Sequence, residues 1–527
     1  MAKKLAWAAP ILFIGVLFYW PLSTILARGF TREWLHDLLD PKTLDVLWFT
    51  FWQAAVSTIV CLVLGIPGAY VLYRRRFGGQ KIVRALITVP FMLPTIVVAA
   101  AFSAFHKWNT TSAFWIIVAH VFINYSLAVR TIGGQWSELD HSIDEAAELS
   151  GAGRLRAFWS ISLPQLRGSI VAATATIFLY CATSYGIILM VGGGLIHSLE
   201  TDIASAAIGM LDLPRTSALA LIQTLLSVVA FTISIRRGHH DVEFDGAGDG
   251  VKRVGLDRRD LPSTLVTGFV IIGLLFAPMV SIFWRAFDST KGAFYNFTLF
   301  DSHGYRELLN VSILKATENS LRNMLVSACI SLIIGVLLAW LMGRSKNTRA
   351  SRFFDLLLLM PLGISTVVLG LGYLVTFSNP IFPLRESWLA VPLIQSVMAV
   401  PLVMRIVRPS IVGINAAQLE SAATEGANRW QIWQLIELPL IRKSVVTAAA
   451  FACLVSIGEF GAASLLAFGD QATLPTVLYS LIARPGGDNY GMAMAVSALL
   501  MVFTFVVVLV VSLETPRRRR RQRNVYA

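Results

Sequence analysis

Long apolar runs constrain the fold of this chain more than any other feature of its sequence. The segments "IIVAHVFINYSLAV" (116–129) and "MAVSALLMVFTFVVVLVVSL" (494–513) are two examples. A helix needs roughly 20 mainly apolar residues to cross the hydrocarbon core of a bilayer. Twelve segments are candidates, centred near residues 16, 60, 94, 122, 180, 225, 273, 333, 365, 398, 455 and 503. The sequence therefore predicts an all-α integral membrane protein with about twelve transmembrane helices. The segments near 94 and 365 contain Pro and Gly and are expected to be the least regular.

Composition and charge support a membrane location. Of the 527 residues, 14% are charged, against about 25% in an ordinary soluble domain. Membrane topology explains the net charge of +13. When the N-terminus is placed in the cytoplasm, most Lys and Arg fall on the cytoplasmic side, as the positive-inside rule predicts. The basic run at 517–523 ends on that side, where it can meet anionic lipid head groups. We expect both termini to be cytoplasmic, and we expect no nucleic-acid partner.

The first apolar segment follows Lys3 and Lys4 closely, as in a secretory signal peptide. Its apolar stretch runs to about residue 27, and no clear small-residue cleavage site follows it. We therefore expect this segment to be retained as the first span.

The chain contains a direct repeat. "EAAELSGAGRLRAFWSISLP" (145–164) aligns without a gap with "ESAATEGANRWQIWQLIELP" (420–439), and eight of the twenty positions are identical. The similarity extends from "GIPGAYVLYRR" (65–75) against "GVLLAWLMGRS" (335–345) to Gly186 against Gly461. Self-similarity over such a length indicates duplication. Each half holds six candidate spans, and an even number returns the chain to its starting side, so the two repeats are parallel.

The repeat sets the predicted domain boundaries. Residues 1–237 form the first six-span repeat, and residues 261–516 form the second. A polar, Gly-rich cytoplasmic linker (238–260) joins them, and 517–527 is a basic cytoplasmic tail.

The repeated polar segments, 142–164 and 417–439, are predicted to form two cytoplasmic helical elbows. Gly151 and Gly426 permit a turn that other residues resist. A second short helix follows each turn and presents Phe158 or Trp433 outward, and a Pro suits the first turn of the next span. A surface helix would explain one copy. Two copies on one face predict paired docking surfaces for a two-fold partner.

The elbow sequence resembles the signature loop of the membrane subunits of bacterial ABC importers. The pattern E-A-A-x-x-x-G, with Leu-Pro thirteen residues after the Gly, is matched in full by "EAAELSG", whereas "ESAATEG" has Ser421 at its second Ala. The resemblance implies a location in the bacterial cytoplasmic (inner) membrane. It also implies that each elbow couples to a cytoplasmic ATPase subunit, two copies in all. The coupling residues it implies are Glu145, Ala146, Ala147, Gly151 and Phe158, with Glu420, Ala422, Gly426 and Trp433 in the second copy.

The fused arrangement resembles the permeases of thiamine and ferric-iron importers over essentially the whole chain. "YRRRFGG" (73–79), "AHVFINYSLAVR" (119–130), "ALALIQ" (218–223) and "AFACLVSIGEFG" (450–461) favour the thiamine branch. The resemblance implies a small-molecule substrate, either thiamine or a thiamine phosphate, and an extracytoplasmic solute-binding protein that delivers it.

Motifs for ATP hydrolysis or metal binding are missing from the sequence. The chain contains no Gly-Lys pair and hence no G-x-x-x-x-G-K-[ST] phosphate cradle. The four cysteines lie in apolar segments without a C-x-x-C pair, which is typical of packing residues. We expect this chain to bind no cofactor or metal and to use the ATP hydrolysed by its partner.

Polar residues within the spans are candidates for the substrate pathway. Glu459 leads, because an ionisable group is costly in a membrane; a hydrogen bond between helices is the alternative explanation. Its counterpart in the first repeat is Ser184. Asn124, Tyr125, Tyr180 and Tyr185 could stack against or hydrogen-bond to an aromatic ligand, although simple bundle packing would also explain them.

Two alternative functions stay open at this point. The same kind of permease could import ferric iron. An ion-coupled secondary transporter is the alternative of another class, although such proteins often show inverted repeats, and the twin elbows would then have no explanation.

Overall fold

We obtained a computed structural model of the chain, and it describes residues 2–29, 39–105, 112–140, 142, 147, 149–151, 153–210, 212–237, 254–301, 311–343, 355, 357–378, 384 and 387–514. Nearly all regular structure in these ranges is helical. The two short strands described are β1 (Arg75–Arg76) and β2 (Val254–Gly255), which pair in parallel.

The helices of the first repeat are α1 (Ala2–Ile14), α2 (Trp20–Gly29), α3 (Pro41–Ala69), α4 (Gln80–Leu86), α5 (Val89–Met92), α6 (Thr95–Phe105), α7 (Ala113–Glu138), α8 (Arg154–Ala157), α9 (Leu163–Ala182), α10 (Gly186–Val191), α11 (Leu199–Ala204) and α12 (Leu213–Arg237).

The helices of the second repeat are α13 (Leu261–Phe269), α14 (Ala277–Phe287), α15 (Tyr295–Thr298), α16 (Ile313–Gly343), α17 (Thr366–Thr376), α18 (Ala390–Val412), α19 (Ala416–Thr424), α20 (Arg429–Ile432), α21 (Leu438–Gly458), α22 (Gly461–Leu466), α23 (Leu474–Ile482) and α24 (Gly487–Glu514). Widened π-helical turns extend or join several of them, at Gly15–Tyr19, Tyr70–Arg74, Phe158–Ser162, Ser205–Gly209, Val270–Phe276 and Trp433–Glu437.

The membrane-spanning character of the fold is confirmed. Within the described ranges, nine helices are long and apolar enough to cross a membrane, and two sharply bent helix pairs raise that number to eleven. The remaining predicted span, near residue 180, corresponds to α9. Its 20 residues reach about 30 Å at 1.5 Å per residue, but Gln165 and Arg167 make its first turns less apolar.

Both repeats build the same contacts from equivalent residues. The backbone N–H of Leu199, at the start of α11, donates to the Thr50 hydroxyl at 2.9 Å. The N–H of Leu474, at the start of α23, donates to the Ser320 hydroxyl at 2.8 Å. The preceding residue begins each helix with a capping box. The duplication is therefore structural as well as sequential.

The two irregular segments are broken helices. The pair Gln80–Met92 and Thr95–Ala104 is bent by 102°, and the pair Leu357–Gly363 and Thr366–Thr376 by 107°. Pro94 stands at the first break and has no N–H to continue a helix. Ser365 stands at the second, where its hydroxyl accepts from the N–H of Val367 at 3.1 Å and so caps α17.

The repeats interlock through their first helices. The α2 helix packs on α17 of the second repeat, and the rings of Trp20 and Phe377 meet there with centroids 5.6 Å apart. In the same way α14 packs on α6 of the first repeat, where the Ser281 hydroxyl donates to the Ala101 carbonyl at 3.4 Å. Each repeat therefore depends on the other for part of its packing.

A buried ion pair ties the start of the second repeat to the first. The Asp260 carboxylate accepts from the Tyr70 hydroxyl at 2.9 Å and from Arg75 Nε at 3.1 Å, and it is almost fully buried. The β1–β2 pairing lies beside it. Residues 238–253 of the predicted linker and 517–527 of the predicted tail lie outside the described residues, so the predicted domain boundaries stay predictions.

We predict that Asp260→Ala lowers the melting temperature of the purified protein substantially. The change leaves the Arg75 guanidinium buried without its carboxylate, and breaking such a buried pair costs about 3–5 kcal/mol. Glu318→Gln is the matched control, because the Lys315–Glu318 pair is exposed and its loss should leave the melting temperature unchanged. Equal melting temperatures for both variants would show that the buried pair does not hold the repeats together.

Candidate functional site

The second elbow turns at a glycine that is held in a left-handed conformation. The α19 helix begins at Asn415, whose side chain accepts from the N–H of Ala417, and it ends before Gly426. The φ of Gly426 is +90°, and that of Gly151 in the first elbow is +76°. No atom lies within 4 Å of a Cβ at either position, so the need for glycine is conformational. The predicted turns are present.

The prediction of a separate second short helix in each elbow is wrong for the second elbow, because the helix there continues into the next span. Residues Arg429–Gly458 form one helix. It starts with a capping box between Asn428 and Gln431 and contains the widened turn just before Pro439. The first repeat has the same widened turn before Pro164. Proline cannot donate the usual helical hydrogen bond, and a π-turn accommodates the missing donor without ending the helix.

The second elbow presents aromatic and small side chains at its surface. Glu420 and Gly426 are exposed, and Ala422 is half-buried. Trp433 stacks on Trp430, with ring centroids 5.2 Å apart and planes 18° from parallel. Trp430 is 61% exposed. The knob predicted at Trp433 is therefore a stacked pair whose outer member is Trp430.

The first elbow differs from its copy. Glu145 and Ala146 lie outside the described residues, and Ala147 is buried. The prediction that Phe158 projects outward is wrong, because Phe158 is half-buried against Trp136 with centroids 5.8 Å apart. The neighbouring Trp159 is 62% exposed instead. The helix is oriented so that Phe158 packs against Trp136 at the end of α7, and the next residue, Trp159, therefore points toward the surface.

A cavity of about 490 Å³ opens between the repeats, at the end of the helices far from the elbows. It is lined by two sets of short helices and turns, α10 and α11 from the first repeat and α22 and α23 from the second. The lining residues are Tyr185, Leu189, Thr201, Ala204, Ser205, Ile208, Phe460, Ser464, Ala467, Phe468, Gly469, Ala472, Thr476, Val477, Tyr479 and Ser480. Its lining combines the hydroxyl groups of Ser, Thr and Tyr side chains with aromatic rings and small apolar side chains.

Equivalent residues of the two repeats meet at this cavity. Tyr185 and Phe460 occupy matching positions, 275 apart in sequence. Their rings stack with centroids 5.4 Å apart and planes 16° from parallel. Matching residues of two related halves can touch only near the axis that relates them. The cavity therefore lies on the pseudo-two-fold axis of the molecule.

Of the predicted pathway residues, Tyr185 alone lines this cavity. Glu459 adjoins it in sequence, but its carboxylate caps α22 by accepting from the N–H groups of Ala462 at 2.7 Å and Ala463 at 3.1 Å. The structure assigns Glu459 a structural hydrogen-bonding position, and its role in transport stays a prediction.

The other predicted pathway residues lie in the bundle. The Asn124 amide donates to the His120 carbonyl, and the Tyr125 ring is fully buried against Gly68. Ser184 is buried, and Tyr180 is 40% exposed beside Phe91. Their roles stay predictions.

Sequence reasoning missed a buried polar contact that crosses between the repeats. The Glu200 carboxyl group, fully buried on α11, accepts from Gln223 Nε2 at 2.8 Å and from the Ser365 hydroxyl at 2.5 Å. Pro475 and Pro94 occupy the equivalent positions on the other side of the axis. The interface between the repeats is therefore hydrogen-bonded at Glu200 and Ser365, whereas the equivalent positions across the axis carry apolar prolines. The only signal in the sequence was an acidic residue close to a membrane span.

We predict that Gly151→Ala and Gly426→Ala loosen the elbows. An alanine in left-handed backbone costs about 1–2 kcal/mol, so amide hydrogen exchange in the altered elbow should be roughly fivefold faster or more. Gly153→Ala is the matched control, since Gly153 has no left-handed φ and has open space around it. Equal exchange in all three variants would mean that the turns do not require glycine.

Comparison with known proteins matches the chain to one family model. The model is described as "Binding-protein-dependent transport system inner membrane component", and it matches twice, over residues 62–237 and 332–520. The two matches contain the two elbows.

Two of the relatives cover nearly the whole chain, and a third covers less than half of it. The thiamine transport system permease protein ThiP of Salmonella typhimurium is 25% identical over 528 residues, with 94% of each chain covered. The protein of the same name from Haemophilus influenzae is 24% identical, with 93% of each covered. The sulfate transport system permease protein CysT of Escherichia coli is 27% identical but covers 40% of this chain and 83% of its own. The chain therefore belongs to the family of binding-protein-dependent transport system inner membrane components, as a multi-pass ABC importer permease that carries the family domain twice.

Proposed function

We propose that this permease imports thiamine or a thiamine phosphate, which an extracytoplasmic binding protein delivers to the outer end of the cavity. In this proposal the two elbows and both chain termini face the cytoplasm. One ATPase subunit docks on each elbow, and this chain contributes no nucleotide site of its own.

The chemistry of the cavity is the observation that carries the choice of substrate. Its described lining contains three aromatic rings that matter here, Tyr185, Phe460 and Tyr479, together with Ser and Thr hydroxyls. Rings attract a flat, positively charged heterocycle through the π-face, and hydroxyls can bond to its polar substituents. A volume of about 490 Å³ falls within the range of small-molecule sites, about 300–1,000 Å³. Thiamine is such a heterocyclic cation, and two of the relatives above are named as thiamine permeases.

Ferric iron and sulfate fit this lining less well. The cavity has no Asp, Glu, His or Cys among its described lining residues, so it offers no strong ligand set for a bare metal ion. It has no Lys or Arg there either, which disfavours tight binding of an inorganic anion. The lining of this cavity therefore favours a heterocyclic cation over sulfate. The secondary-transporter alternative is set aside, because the chain belongs to an ABC importer family.

The proposed mechanism links the elbows to the cavity through the long helices. The α21 span begins in the second elbow and ends beside Glu459, just before the cavity residues of α22. Closure of two ATPase subunits on ATP draws the elbows together, and the rigid spans carry that movement across the membrane. ATP biases the equilibrium because the ATP-bound partner contacts one arrangement of the elbows better than the other. The Tyr185–Phe460 stack must part for substrate to pass along the axis.

We predict that thiamine stimulates ATP hydrolysis by the complete complex in lipid, with this chain, its ATPase and its binding protein present. Thiamine pyrophosphate, ferric iron and sulfate are offered separately under the same conditions. Stimulation by thiamine compounds alone, lost when the binding protein is omitted, is the expected result. Stimulation by iron or sulfate alone would overturn the substrate and leave the permease assignment intact.

A further inference from the structure

Two pairs of hydroxyl side chains in the cavity lining follow the symmetry of the repeats. Thr201 and Thr476 occupy equivalent positions in the two repeats and both line it. Ser205 and Ser480 form a second equivalent pair, and they line it as well. A ligand bound only to these hydroxyls would meet the same groups from either side of the axis.

The cavity is asymmetric in its side chains at two other equivalent pairs. Tyr479 of the second repeat stands opposite Ala204 of the first, and Ser464 stands opposite Leu189. An aromatic ring and a hydroxyl therefore line the second-repeat side, where the first repeat presents a methyl group and an isobutyl group. At these two pairs the second-repeat side is therefore the more aromatic and the more polar.

Three rings of the lining form a continuous surface that begins on the axis, at Tyr185 of the first repeat and Phe460 of the second, and extends into the second repeat at Tyr479. Phe460 stacks on Tyr185 at 5.4 Å and contacts Tyr479 at 5.7 Å between centroids, with the latter planes 50° apart. Ser464 Oγ lies 3.5 Å from the Tyr185 hydroxyl, at the edge of that ring. Tyr479 is half-buried, so part of its side chain is open to the cavity. We call Tyr185, Phe460 and Tyr479 the aromatic wall.

We propose that the aromatic wall binds the positively charged ring of the transported compound, so that the ligand lies off the axis and against the second repeat. This inference rests on the proposed function, because it takes the cargo to be a planar heterocyclic cation. A cation over an aromatic face gains about 0.5–2 kcal/mol, more where water is excluded. The described lining holds no Lys, Arg or His, and no such charge opposes a cation there.

Uptake of labelled thiamine into vesicles containing the complete complex tests this assignment. The maximal rate is measured with saturating thiamine-loaded binding protein and ATP inside the vesicles. Tyr479→Ala should lower that rate roughly tenfold, in line with loss of one cation–π contact. Tyr479→Phe keeps the ring and should retain most of the rate, which separates loss of the π-face from loss of the hydroxyl. Assembly of each variant with its ATPase is checked by size-exclusion chromatography.

Ile208→Ala is the comparison variant, because Ile208 lines the same cavity from the first repeat. It should lower the rate clearly less than Tyr479→Ala does, since it removes no π-face. Equal losses in Ile208→Ala and Tyr479→Ala would place the ligand on the axis and overturn the assignment. Normal uptake by Tyr479→Ala, or uptake by Tyr479→Phe as low as by Tyr479→Ala, would overturn it too. If the unaltered complex takes up no thiamine, the proposed function itself is wrong, and this outcome is distinct from those above.

Discussion

Backbone hydrogen bonding in the absence of water is the constraint on which the rest of this structure depends. In lipid, every N–H and C=O must find a partner within the protein, so the chain crosses the membrane as helices. Among the described residues, two sharp breaks interrupt these helices, at Pro94 and Ser365, and each lies against the other repeat. Ser365 caps its own helix and also donates to Glu200 of the first repeat. Irregular backbone is tolerated here because protein, and not lipid, surrounds it.

The same breaks explain why the two repeats cannot be separate bundles. The α2 and α14 helices each cross to the opposite repeat and pack against a broken helix there. The short helices α11 and α23 also reach across the axis. The cavity forms where these elements meet, at the end of the bundle far from the elbows. Packing between the repeats therefore creates the space through which we propose that substrate passes.

The two ends of the molecule have different symmetry. The elbows keep the same turn, the same widened helical turn and an exposed tryptophan in both repeats, as identical partner subunits would require. The cavity instead has unlike residues at equivalent positions, with Tyr479 opposite Ala204. The Glu200 contact is likewise matched by prolines on the other side. In the function proposed above, one asymmetric substrate accounts for the second pattern, and two copies of one ATPase account for the first.

Periodicity and repetition made much of this architecture predictable from sequence. Apolar runs located the spans, Pro and Gly located the broken helices, and Gly151 and Gly426 located the turns. Side-chain direction was harder, because Phe158 packs against Trp136, which lies 22 positions earlier in the chain. The aromatic wall was missed except for Tyr185, since nothing in the sequence distinguishes Phe460 and Tyr479 from the many other aromatic residues of the chain. Glu200 was missed because its partner Ser365 lies 165 residues away.

The central claim is that the passage runs along the axis between the repeats and opens when they separate. A cleavable cross-link between Ser205→Cys and Ser480→Cys, from opposite sides of the cavity, tests it most directly. The exposed Cys329 and the half-buried Cys453 are replaced by Ser. Each variant with one introduced cysteine is treated with a one-armed reagent of the same size. We predict that the cross-linked complex stops ATP-driven thiamine uptake, that cleavage restores it, and that the one-armed reagent has a smaller effect. Undiminished uptake by the cross-linked complex would contradict the claim.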